Sequence, residues 1–168
     1  YFDADLGRPV VNEGKDGLQK LDYAIYKAEQ EGVRLLITFT NNWEAFGGMN
    51  QYVKWAKLAG ENVTGHDDFY TNETIKGWYK DYIKTLLNHE NVYTGVKYKD
   101  DPTIFSWELA NEPRCESDAG CENHVVENWA SEMSDYVKSI DSNHMLAVGD
   151  EGFYNYGYND FPEGDHKY

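Results

Sequence analysis

The sequence predicts an α/β protein built on a parallel sheet. Three runs of strand length, at 33–40, 104–110 and 144–148, are rich in aliphatic or aromatic residues and hold no Gly or Pro. Longer segments before and between them carry apolar residues at three- and four-residue steps, the period of an amphipathic helix. Strands alternating with helices are joined by crossovers, and crossovers of this length connect parallel strands.

Residues 1–15 are punctuated by Gly7, Pro9 and Gly14 and read as irregular. Asp16 stands where a helix start is capped. Leu18, Leu21, Ile25 and Ala28 then form one stripe, and Gly32 suits the C-terminal cap. Val33–Thr40 is nearly continuous in apolar residues, the pattern of a strand buried on both faces. Asn41, Asn42 and Trp43 follow at its carboxyl end. Residues 44–74 make a long excursion, with a short helix at about 50–58 and then polar loop. Asn62-Val63-Thr64 and Asn72-Glu73-Thr74 fit the N-glycosylation acceptor pattern, so Asn62 and Asn72 are candidates. A second long helix is expected at 73–88, with Ile75, Trp78, Tyr79, Tyr82, Ile83 and Leu86 facing the core.

The strand at 104–110 carries the chemistry. Alternation puts Phe105, Trp107 and Leu109 on one face and Ser106, Glu108 and Ala110 on the other; continued, it adds Glu112 to the second face. Pro113 ends the strand, because it has no N–H for the ladder. A carboxylate is thereby left beside Asn111 at the carboxyl end of a strand, where parallel α/β proteins keep their active sites. On the residues alone, two readings of Glu112 stand level: a strand-end carboxylate paired with Arg114, and a catalytic group. Trp43 is likewise a loop-packing ring or a sugar-stacking one.

Cys115 and Cys121 follow in a loop of Gly and acidic residues. They are the only cysteines, and no further ligand cluster accompanies them, so a disulfide is expected rather than a zinc site. A third helix is expected at 122–140, with Val126, Trp129, Met133, Tyr136, Val137 and Ile140 inward. The third strand leads to Asp150 and Glu151; beyond Gly152 no element is evident. Asp67-Asp68, Asp100-Asp101 and Asp3 with Asp5 read as solvated loop acids without calcium-loop spacing. His66, His89, His124 and His144 read as structural. No metal or cofactor is expected.

The length of 168 residues suggests about one domain. A net charge of −15 argues against a nucleic acid or an anionic membrane as partner and fits a neutral substrate. Tyr, Trp and Phe make up 15% of the chain, enough for a large core and for rings that stack on sugars. The chain begins at Tyr1, without Met or a signal peptide, and is expected to be processed or cut from a longer protein.

The run Trp107-Glu108-Leu109-Ala110-Asn111-Glu112-Pro113 resembles the Asn-Glu-Pro signature of glycoside hydrolase family 5, among the retaining glycosidases with (β/α)8 barrels. Asn41-Asn42-Trp43 with Gly47-Gly48, Arg114-Cys115, and Gly149-Asp150-Glu151-Gly152-Phe153 extend the resemblance to the fungal endo-β-1,4-mannanase branch. The resemblance implies that residues 1–168 are part of a catalytic domain, a contiguous portion of a TIM barrel from about strand 3 to strand 5. It implies that Glu112 is the acid/base, that Asn111 bonds the sugar 2-hydroxyl, and that Arg114 holds the leaving-group sugar. Trp43 becomes a sugar-contacting ring, and Glu151 shapes the groove. The family's nucleophile is a Glu on the seventh strand, and no position of this chain matches it, so the chain alone is expected to be inactive. The expected activity of the full-length parent is hydrolysis of internal β-1,4-mannosidic bonds in mannan, glucomannan or galactomannan. A β-1,4-glucanase and a non-catalytic carbohydrate-binding fragment are the alternatives. The acceptor tripeptides and the cysteine pair point to a secreted protein.

Overall fold

In a computed structural model, which describes residues 1–151, the opening is not irregular throughout. Phe2–Asp3 (β1) and Arg8–Pro9 (β2) pair antiparallel, with Phe2 opposite Pro9. Asp3 Oδ1 accepts from the backbone N–H groups of Asp5 and Leu6, each at 3.0 Å, and so turns the chain between the strands. The first helix, α1, runs over Leu18–Gln30 and buries Leu18, Ile25 and Ala28 together with Asp22. Its N-cap is Gly17 rather than Asp16, which instead pairs with Lys20 at 3.4 Å. Gly32 ends it at φ 68, a left-handed value that glycine adopts without steric cost.

The main sheet has three parallel strands in the order β3–β4–β5: Leu35–Thr38 (β3), Ile104–Glu108 (β4) and Met145–Ala147 (β5). All are shorter than the apolar runs that mark them. The expectation that the first is buried on both faces does not hold. Leu36 is 54% exposed, while Leu35 and Ile37 pack against the core. Phe105 also departs from its expected face. Leu35 pairs with Ile104 and Leu36 with Ser106, so the ladder skips Phe105. The extra residue bulges and leaves its ring 56% exposed, while Trp107 and Leu109 are buried.

The helical layer contains Met49–Leu58 (α2), Asp68–Thr71 (α3), Glu73–Asn88 (α4), Asp118–Glu122 (α5) and Val125–Ile140 (α6). The expected third helix is α6, which starts three residues late, after His124 with its left-handed φ of 54; the short α5 before it falls in the cysteine segment read as loop. Aromatic rings join the layers. Phe39 stacks on Trp107 at 5.0 Å, and Phe69, Tyr79 and Trp129 meet at 5.4–5.6 Å between α3, α4 and α6. Tyr79 donates to the Leu109 carbonyl at 2.5 Å, tying α4 to the end of β4. Glu132 of α6 accepts from Lys76 at 2.8 Å and Lys80 at 2.5 Å, both on α4.

The acids read as solvated are largely structural. Asp101 is buried and accepts from the Thr103 N–H at 2.9 Å. Asp68 accepts from the Thr64 and Gly65 N–H groups at 2.5 and 2.8 Å. His89 and His144 face carboxylates, Asp22 at 2.9 Å and Asp141 at 2.6 Å, and Asp141 also accepts from the Trp107 indole at 2.8 Å. Asn72 caps α4: its Oδ1 accepts from the Ile75 N–H at 3.0 Å, and its Nδ2 donates to Glu61 at 3.3 Å. The amide nitrogen that a glycan would occupy is therefore engaged in the folded chain. Asn62 lies in the α2–α3 loop.

Candidate active site

The carboxyl ends of β3, β4 and β5 lie side by side, and the backbone beyond them keeps the pairing. Asn41 and Asn111 form a further parallel bridge. The Asn111 N–H donates to Thr40 O at 2.9 Å, and the Asn42 N–H to Asn111 O at 3.0 Å. On the other side, the Ala110 N–H donates to Val148 O at 3.2 Å and the Glu112 N–H to Gly149 O at 2.9 Å. Residues 110–112 are therefore gripped from both neighbouring strand ends. Gly149 makes the close approach possible. A Cβ there would overlap the Ala110 carbonyl oxygen and lie 2.6 Å from Glu108 Cγ, and the residue has φ +93. Gly48 does the same for the turn after β3, where a Cβ would overlap the Trp43 and Asn41 carbonyl oxygens.

Glu112 does not continue the strand alternation. Its φ is 53, in the left-handed region that disfavours a residue with a side chain. The turn carries its carboxylate toward the loop after β3, where the Trp43 indole N–H donates to Oε2 at 2.5 Å. Asn111 points the same way, and its Nδ2 donates to Asn41 Oδ1 at 3.1 Å.

The salt bridge between Glu112 and Arg114 that the sequence left open is made differently. Arg114 forms an ion pair with Glu151, past the end of β5. Its guanidinium carbon lies 5.3 Å from the centre of the Trp43 ring, which is 46% exposed. All five sequence candidates, Trp43, Asn111, Glu112, Arg114 and Glu151, thus gather at one end of the sheet. Gly152 and Phe153 of the last motif lie outside the described residues. Thr38 and Glu108, which no motif in the sequence singles out, hydrogen-bond below the site at 2.7 Å. Alternation puts Glu108 on one face with Ser106 and Ala110, but its contact with Thr38 depends on the pairing of β3 with β4.

Cys115 and Cys121 are paired, with Cα atoms 5.4 Å apart across six positions. Closing so short a loop removes little unfolded-state entropy, so replacing both cysteines by Ser is expected to lower the unfolding free energy by about 2 kcal/mol. A urea titration checks this: the midpoint should fall with an unchanged slope, and an unchanged midpoint would show that the bridge contributes nothing.

A model of one protein family, described as glycoside hydrolase family 5 β-mannosidase-like, matches residues 12–164. The chain belongs to this family. Its similarity to curated relatives is close. Mannan endo-1,4-beta-mannosidase 4 of Solanum lycopersicum is 52% identical over 136 residues, which cover 81% of this chain and 34% of the relative. Mannan endo-1,4-beta-mannosidase 3 of Arabidopsis thaliana is 51% identical, covering 81% and 32%. The endo-1,4-beta-mannanase structure from Rhizomucor miehei matches with a TM-score of 0.87 and 46% identity, over 99% of this chain and 46% of that one. The endo-beta-1,4-mannanase from Thermotoga petrophila matches at 0.78 and 49%, over 92% and 32%. This family 5 chain spans about a third of the length of the curated relatives it matches.

Proposed function

We propose that the whole protein hydrolyses internal β-1,4-mannosidic bonds by a retaining, double-displacement route, with Glu112 as the acid/base. The observation that carries this reading is the Glu112 carboxylate. It stands at the carboxyl end of β4 and is oriented by the Trp43 indole, in a chain close in sequence to proteins named as mannan endo-1,4-β-mannosidases. In that route two carboxyl groups lie about 5–5.5 Å apart, and one of them both protonates the leaving oxygen and later activates water. Glu112 takes the second part described, using the oxygen that Trp43 does not bind. The nucleophile is assigned to no residue of this chain. Asn111, held by Asn41, bonds the sugar 2-hydroxyl beside the cleaved linkage, a contact that strengthens in the transition state. Arg114 holds the sugar on the leaving-group side, Glu151 pairs with Arg114 and shapes the groove, and Trp43 is a sugar-contacting ring. Within a TIM barrel, β3, β4 and β5 are the third, fourth and fifth strands. The disulfide supports a secreted protein, with a glycan at Asn62 more compatible with the fold than one at Asn72.

Reducing-end release from unbranched mannan and from soluble β-1,4-glucan tests the activity. The whole protein is expected to cleave mannan and to spare glucan. Preference for glucan would make it a cellulase of the same family, and binding of either polymer without cleavage would make it a carbohydrate-binding protein.

A further inference from the structure

Tyr70 lies in α3, on the excursion between β3 and α4, and is 3% exposed. Its hydroxyl meets both backbone polar groups of one residue: it donates to Arg114 O at 3.0 Å and accepts from the Arg114 N–H at 3.1 Å. Met49 Sδ lies 3.2 Å from the same oxygen, but a carbonyl is the stronger acceptor for its single proton. The ring cannot swing away. It packs edge-on against His66, Phe69 and Trp129 at 5.4–5.6 Å. Burial pushes the hydroxyl's pKa up, so it keeps its proton. Three residues earlier, Asp67 holds the next stretch of the same segment. It accepts from the Glu116 N–H at 2.8 Å, and from the Ser117 N–H and hydroxyl at 2.9 and 2.5 Å. Burial works against its charge. The hydrogen bonds from Ser117, His66 and the two backbone N–H groups outweigh that, and they hold its carboxyl below the usual carboxylate range.

We infer that Tyr70 and Asp67 are positioning residues for Arg114: the excursion clamps the backbone of 114–117 so that the guanidinium stays between the Trp43 ring and Glu151. This rests on the reading of Arg114 as a leaving-group-side contact. A long charged side chain contributes to binding in proportion to the freedom it has already lost. The ion pair and the aromatic face fix its tip, and the Tyr70 hydroxyl fixes its root. The two ends together leave one arrangement. The disulfide then ties Cys115, inside the clamped segment, to Cys121 of α5.

Tyr70→Phe removes both hydrogen bonds and keeps the ring packing. In the whole protein it is expected to raise KM for mannopentaose roughly tenfold, about what losing one hydrogen bond's worth of orientation does to affinity. It should leave kcat/KM unchanged on an activated aryl β-mannobioside, which places no sugar on the leaving-group side. In an Arg114→Met background it should add nothing further, because residues acting through one another are not additive. Equal losses on both substrates, or additive losses with Arg114→Met, would overturn the inference. Backbone hydrogen exchange reads the clamp without reference to activity. Tyr70→Phe should speed exchange at Arg114, and Asp67→Asn at Glu116 and Ser117, while the amides of α4 stay protected. Unchanged exchange at those three amides would also overturn it, even if the wild-type protein left mannan uncut and the proposed activity failed.

Discussion

Replacing Glu112 by alanine in the whole protein is expected to cut mannan hydrolysis by a factor of roughly 10²–10⁴, the usual contribution of a positioned acid/base. The two half-reactions should suffer differently. Glycosylation needs a proton on the leaving oxygen, and a good aryl leaving group needs none. Deglycosylation needs water to be activated for every substrate. With an aryl β-mannobioside, Glu112→Ala should therefore form the glycosyl-enzyme and stall there. Mass spectrometry of the quenched reaction should show the protein carrying one covalent mannobiosyl group. Azide attacks without a general base, so it should restore turnover and yield the β-configured glycosyl azide. Near-normal mannan hydrolysis by the variant, or an α-configured azide, would remove Glu112 from the acid/base role.

A large loss is also expected from a methyl group at Gly149. The alanine side chain would meet the Ala110 carbonyl and Glu108 where the end of β5 runs against the end of β4, and the backbone there has φ +93. Left-handed strain and the overlap together suggest a destabilisation of roughly 2–4 kcal/mol. The damage should reach the site as well, because Gly149 O accepts the Glu112 N–H at 2.9 Å. Gly149→Ala should thus lower the unfolding midpoint and also lower kcat at temperatures where the protein is still folded. A variant with wild-type stability would show that the two strand ends separate easily and do not hold residues 110–112.

The broad fold was legible because it depends on local periodicity. The stripe of α4 reports which face of that helix meets the core, and the apolar runs at 33–40 and 104–110 report where strands lie, though not how each of their faces is covered. What was not legible depends on pairing at a distance. The bulge at Phe105 exists only in the register between β3 and β4. The hairpin of β1 and β2 has strands of two residues each, too short for any alternation to show. Asp67 looks like any loop acid until the chain 49 and 50 positions later lays its N–H groups on it. At the site, the carboxylate itself could be read from Pro113 and the strand before it. Its hydrogen-bond partner could not, since Trp43 is 69 positions away and reaches Glu112 only because β3 and β4 are neighbours. The pairing of Arg114 with Glu151 needed β5 in place for the same reason.

The left-handed backbone of Glu112 sets two kinds of selection against each other. A residue with a Cβ pays about 1–2 kcal/mol for that conformation, a cost that glycine escapes and asparagine or aspartate reduce. Evolution for thermal tolerance alone would therefore drift away from glutamate at this position. Sequences enriched in a screen that scores only folding or expression should accumulate Gly, Asn or Asp at 112, and they should lose hydrolysis as they gain stability. Under the proposed acid/base role, glutamate persists only under a pressure that reads turnover. Position 112 is for that reason a poor target for consensus-style stabilisation, and an informative one for telling which pressure a library has experienced.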